Sequence, residues 1–329
     1  MIDAQYDILG IGNAMVDVVA RVDESFLSRH DMRKGAMILV DAAAAEAIYA
    51  AMPPATESSG GSAGNTCAVA ATLGARVAYL GKVAADQLGA VFAHDIATLG
   101  VHFPSTRLTE GAPTARCLIV VTPDGQRTMN TYLGACVTFG EDDVDEDLVA
   151  AASVTYLEGY LFDPPGAQAA FRKAAAAAHR AGRQVALSLS DAFCVDRHRD
   201  AFRDLVAGHV DILFANETEI TSLYQKNTFA EAAEAARAEV AMAALTRSEA
   251  GSVIIRGMET VTIAAEPARV VDTTGAGDAY AAGFLTGWTS GKSLAVCGRM
   301  GSIAAAAVIG HYGARPAGDL RGMVAKAVG

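Results

Sequence analysis

Val270-Val271-Asp272-Thr273-Thr274-Gly275-Ala276-Gly277-Asp278 runs straight into an apolar stretch at 279–286. Small residues at 275–277 let the backbone come close to a ligand with no side chain in the way. A helix that starts there points free N–H groups, and the positive end of its dipole, at an anion. Asp278, in its first turn, has two readings. As a plain helix-start carboxylate it contributes about 0.3–1 kcal/mol. As a general base beside an anion pocket, it takes a proton from a hydroxyl while a phosphoryl group is held alongside.

The chain upstream of this stretch alternates. Strands are expected at 154–157, 184–189, 212–215, 240–245 and 252–256, with helices at 166–181, 197–207 and 217–225 between the first of them. That spacing predicts a mostly parallel sheet with helices on both faces. The N-terminal half adds strands at 6–12, 15–22, 37–41 and 77–81, and a helix at 90–99. A hairpin, 115–122 and 127–133, surrounds the turn Pro123-Asp124-Gly125. Segments near 14–41 and 101–138 are expected to form a small sheet beside the main layer, the whole of 1–329 being one α/β domain.

Composition narrows the function. The 329 residues are 52% hydrophobic and only 6% aromatic, with a formal net charge of -11. That field opposes binding of a nucleic acid polymer, while leaving room for a nucleotide held locally by backbone amides. Cys67, Cys117, Cys136, Cys194 and Cys297 are odd in number and lack CxxC spacing, which fits buried thiols in a reducing compartment. Residues 1–10 lack the basic patch and apolar core of a signal peptide, and no apolar run is long enough to span a membrane. A cytoplasmic location is expected.

Some motifs dissolve on inspection. Gly10-Ile11-Gly12 follows a strand like a dinucleotide fingerprint, but the third glycine is missing and a strand follows. Gly287-Trp288-Thr289-Ser290-Gly291-Lys292-Ser293 ends like a Walker loop with one residue too few, so it reads as a helix-terminating turn. Two other segments carry more. Gly60-Gly61-Ser62-Ala63-Gly64-Asn65 is a second glycine loop opening a helix. Asn216-Glu217-Thr218-Glu219 follows the strand at 211–215, at the strand end where open sheets bind ligands.

Taken together these motifs resemble the ribokinase, or PfkB-type, family of carbohydrate and nucleoside kinases. Residues 60–100 resemble its first signature, 272–283 its second, and 216–219 its Asn-x-x-Glu motif. Within the family the chain is most similar to adenosine kinases, through Gly12-Asn13-Ala14-Met15-Val16-Asp17, the stretches 187–193 and 210–219, and 306–313. The resemblance implies a ribokinase-like three-layer sandwich with a mostly parallel central sheet and a small β-sheet lid. It implies ATP and Mg²⁺, with a monovalent cation such as K⁺ as a further candidate, and a monomer or homodimer.

The same resemblance assigns residues. Asp278 is the base, and the amides of Gly275, Ala276 and Gly277 form the anion hole. Asn13, Asp17, Gly61, Ser62 and Asn65 bind the acceptor. Asn216, Glu219, Thr246 and Arg127 serve the ATP phosphates, with Mg²⁺ held through Glu219 and the phosphates rather than by direct protein ligands. The implied reaction is phosphorylation of the 5′-hydroxyl of adenosine. Two departures leave the base open: Met37 stands where some adenosine kinases use glutamine, and the stacking aromatic is not fixed among Tyr160, Leu161 and Phe162. Another nucleoside, a sugar such as ribose or fructose, or a non-catalytic ligand sensor are the alternatives.

Overall fold

Strand β1 (Tyr6–Ile11) lies at the heart of the molecule, in a computed structural model that describes residues 4–328. The first three residues of the stretch inspected for a signal peptide fall outside it. The strands are β2 (Met15–Arg21), β3 (Met37–Leu39), β4 (Thr56–Gly60), β5 (Val77–Leu80), β6 (Val101–His102), β7 (Ala115–Val121) and β8 (Arg127–Tyr132) in the first half. The second half supplies β9 (Ala152–Glu158), β10 (Gln184–Ser188), β11 (Ile212–Asn216), β12 (Met242–Thr246), β13 (Ser252–Arg256) and β14 (Glu259–Ile263).

Nine of these form one sheet in the order β14-β13-β12-β11-β10-β9-β1-β5-β6. From β12 to β6 all neighbours are parallel, and β13 and β14 close one edge antiparallel. Both faces of a parallel sheet must be covered, and the strands alternate accordingly. Ile8, Tyr156, Ala186 and Phe214 pack on one side, beneath the helices Ser62–Thr72, Ala276–Thr289 and Leu294–Ile309. Leu9, Leu157, Leu187 and Leu213 pack on the other, beneath Pro165–Arg180, Ala192–His209 and Glu217–Tyr224. The alanines of Pro165–Arg180, seven of its residues being buried, allow close approach to the sheet. The structure is thus the three-layer α/β sandwich that the alternation implied.

The remaining strands form a five-stranded sheet, β3-β8-β7-β2-β4. Val16, Val18, Leu118 and Val120 point to one face, with Phe26, Leu27 and Ile48 from the helices Glu24–Arg29 and Ala42–Ala51. The other face bears Asp17 and Arg127. One strand has no sequence reading, and two local readings change. Thr56–Gly60 is a strand despite its polar sequence, because it pairs antiparallel with β2. Val101–His102, inside the segment expected for the small sheet, pairs with β5 in the large one. The third strand stops at Leu39 because Asp41 accepts from the amide of Ala44 at 2.8 Å and starts a helix.

Asp86 ties this small sheet to the body. It caps the helix Gln87–Thr98 by accepting from Gly89 N at 2.8 Å, and takes both the amide (2.8 Å) and the hydroxyl (2.6 Å) of Thr114, just ahead of β7. Burial pushes its pKa up, but those bonds outweigh it and hold the carboxyl below its usual range. Asp86→Ala should lower the unfolding free energy by about 2–4 kcal/mol in a denaturant titration at pH 7. A loss under about 1 kcal/mol would mean that Thr114 is held by its other contacts.

Candidate active site

The helix Ala276–Thr289 starts beside the second glycine loop, where Ser62 meets Asp278. Gly275 precedes it with φ 76°, and a Cβ there would lie 2.6 Å from the Cβ of Ala314, so only glycine makes this turn. Of the three amides expected to form the anion hole, that of Ala276 is already bonded to Thr273 O at 3.2 Å, closing the turn. The amides of Gly275, Gly277 and Asp278 have no acceptor among the described residues. They point where the helix dipole is positive, a place for phosphate oxygens.

Asp278 stands one residue beyond. Its carboxyl accepts from Ser62 Oγ at 2.6 Å and from the side chain of Asn65. Burial pushes its pKa up to about 7, against those two bonds and with help from the charge of Asp17. Such a group is ionised in part at neutral pH and basic enough to accept a proton from an alcohol. Ser62 and Asn65, expected to touch the acceptor, are thus bonded to the base.

Asp17 faces the cleft from β2 and lies over Gly60. Its carboxylate has no donor among the described residues. Burial raises its pKa to about 6, with the charges of Arg315 and Arg127 opposing. Asn13, between β1 and β2, is buried and donates Nδ2 to Glu158 at 2.7 Å. Gly61 is the N-cap of Ser62–Thr72, packed on the carbonyl of Asn13. The sheet register extends the acceptor side. Asp17 pairs with Cys117, Cys117 with Thr131 and Thr131 with Leu39; one step along, Val19, Ile119, Met129 and Met37 form a parallel row on the same face. Met37 and Leu39 are exposed.

On the opposite side of Asp278, β11 and β12 end together, Asn216 directly opposite Thr246. Asn216 and Glu219 form a capping box: Glu219 accepts from the amide of Asn216 at 2.9 Å and from its Nδ2 at 2.5 Å. Burial pushes Glu219 up to about 7, and the charges of Asp191 and Asp278 add to it. Arg127, expected to reach phosphates, is ion-paired with Asp272, which also accepts from Thr274 N and Gly313 N. Free amides, a threonine, an asparagine and a nearby guanidinium fit a nucleoside triphosphate. Among the described residues no three acidic, Cys or His side chains gather as a metal cage.

Sequence reasoning missed two residues and left a third, Tyr160, undecided. Glu158 closes the apolar strand β9, and an acid at the end of such a run was a readable signal. Arg315 bonds Asp95 at 3.0 Å and the carbonyl and hydroxyl of Ser59, pinning the small sheet from a loop with no motif. Tyr160 alone of the three candidate aromatic positions is open to solvent. Leu161 and Phe162 are core, Phe162 lying 4.4 Å from the ring of Phe202. Tyr160 lies in the fields of Asp191, Asp278 and Glu219, away from Asp17.

An open α/β sheet with an anion-binding helix start and an adjoining carboxylate defines a phosphotransferase with an alcohol as acceptor. The chain belongs to the pfkB family of carbohydrate kinases, whose family model matches residues 36–319; such kinases use ATP. It is similar to the adenosine kinase of Saccharomyces cerevisiae, 28% identical over 327 residues that cover 92% of this chain and 94% of that protein. The adenosine kinase of Sinorhizobium meliloti is 53% identical, with a TM-score of 0.90 over 98% of this chain and 100% of that one. A probable sugar kinase of Rhizobium etli CFN 42 is 50% identical, with a TM-score of 0.90 over 98% and 99%.

Ser62 stabilises the ionised form of Asp278, so its removal raises the pKa of the base. With Ser62→Ala, the acid limb of the pH–kcat/KM profile should move up by roughly one pH unit, the worth of a hydrogen bond to a charged group. A limb that stays in place would show that another group titrates there.

Proposed function

We propose that the protein transfers the γ-phosphate of ATP to the 5′-hydroxyl of adenosine, giving AMP and ADP, in the cytoplasm. Five free, buried cysteines fit that compartment, and among the described residues no helix is long and apolar enough to cross a membrane.

The strip of the small sheet beside Asp17 carries the nucleoside reading. An unpaired carboxylate suits two neighbouring ribose hydroxyls, since it only accepts. Along the same face lie Met129, Met37 and Leu39, an apolar patch that a bare sugar would leave wet and a purine would cover. Burying about 100 Å² of base there gives about 2.5 kcal/mol, close to a hundredfold in affinity. Adenosine kinases among the similar proteins point the same way.

Asp278 then takes the proton of the 5′-hydroxyl, while the amides of Gly275, Gly277 and Asp278 hold the transferring phosphoryl group. Asn216 and Thr246 orient the phosphates from the strand ends, and Glu219 fixes Asn216 and faces the solvated ion. ATP brings Mg²⁺, which neutralises charge on its phosphates. Arg127 adds a cation from the small sheet, whose closure keeps water from the phosphoryl group.

With ATP and Mg²⁺, kcat/KM for adenosine should exceed that for ribose by about a hundredfold or more. Faster turnover of ribose, fructose or another nucleoside would replace adenosine as the acceptor. Asp278→Asn should lower kcat by at least about 10³-fold while adenosine still binds in calorimetry. Binding lost together with turnover would make Asp278 a structural residue.

A further inference from the structure

Glu158 has no part in the reaction as drawn, yet it lies beneath it. It ends β9 with 1% of its surface exposed. Its two carboxylate oxygens are divided between the two acceptor-side loops: Oε1 takes Asn13 Nδ2 at 2.7 Å, and Oε2 takes the amide of Ala63 at 2.7 Å. A carboxylate this deep is costly, and an apolar side chain would suit the strand better. The sequence also clears space for it. A Cβ on Gly12 would stand 2.2 Å from Oε2 and 2.7 Å from the Cβ of Ala63.

We infer that Glu158 is a positioning residue, fixing which atoms Asn13 and Ser62 present to the acceptor and to the base. With Nδ2 committed to Glu158, the amide of Asn13 cannot flip, and its Oδ1 is left without a donor among the described residues. Asn13 therefore offers an acceptor, as Asp17 and Asp278 do, and a hydroxyl-bearing ligand supplies the donors. The bond to Ala63 holds the turn from which the neighbouring Ser62 reaches Asp278 at 2.6 Å. One buried group thereby sets the acceptor subsite and the base in register. Burial pushes Glu158 up to about 7, and the bonds from Ala63 and Asn13 are what oppose that rise. These donors have no other partner and would be stranded without it.

This inference rests on Asn13 binding the acceptor. Glu158→Gln keeps the shape but offers one acceptor oxygen to two donors. It should raise KM for adenosine about tenfold or more and leave KM for ATP within about twofold. Asn13→Ala should raise KM for adenosine similarly, and the double variant should be no worse than the worse single, since both remove one unit. Additive effects would make Glu158 an independent ligand or a purely structural group. Equal rises in both KM values with a lower melting temperature would also overturn the assignment. If Glu158→Gln does not fold, Glu158→Asp, which keeps the charge but falls short of both donors, is judged by the same criteria. If Asn13→Ala itself leaves KM for adenosine unchanged, the acceptor-site reading fails instead.

Discussion

The role proposed for the Asp278 carboxyl sets two demands against each other. It must be dry enough to be basic, and it must remain reachable by an alcohol. The helix start meets both. It leaves unpaired amides next to the carboxyl, and Ser62 and Asn65 hydrogen-bond to the carboxyl itself. The two hydrogen bonds keep burial from pushing the group out of the useful range, a balance near neutrality that serves a general base. The second glycine loop is therefore as much a part of the base as the first.

The small sheet answers the water problem. Its apolar face is continuous with the core of the body, and charges, the Asp86–Thr114 bonds and one tyrosine add polar contacts. Arg127 pairs with Asp272, Arg315 with Asp95 and Ser59, and Tyr312 packs its hydroxyl against the hairpin tip at Gly125. Asp272 is six residues before the base, so the strongest of these contacts bears on the anion-binding turn itself.

Much of this was legible in the sequence, for a physical reason. A parallel sheet buried on both faces leaves continuous apolar runs such as 212–215, and a helix that opens on Gly-Ala-Gly announces its free amides. Polar β4 gave no such sign, because Thr56–Gly60 is strand only by virtue of its pairing with β2. The division of the anion-hole amides was equally hidden: whether Ala276 spends its N–H inside the turn depends on Thr273, not on residue type. Glu158 and Arg315 act across 145 and 256 residues of chain. Local pattern can flag an acid at a strand end but carries no information about partners at such separations.

The cleft also explains why its chemistry works against its own stability. Asp17, Glu158, Glu219 and Asp278 are all raised chiefly by burial, to between about 6 and about 7. A carboxyl with a higher pKa folded than unfolded binds more protons in the native state, so its contribution to stability is full below the unfolded value and is lost as pH rises through the folded one. Between about pH 4 and 7, these four groups make the fold progressively less stable. Asp86, Asp95 and Asp272 have lowered values and slope the other way, their stabilisation vanishing as pH falls through the acid range. The best pH for the fold thus lies between the two sets. The base needs its proton removed, which places the best pH for turnover higher. A ligand that donates hydroxyl hydrogens to Asp17 and Asp278 favours the ionised carboxylates and narrows that gap. Substrate binding and the stability of the fold are then linked through the protons of Asp17 and Asp278.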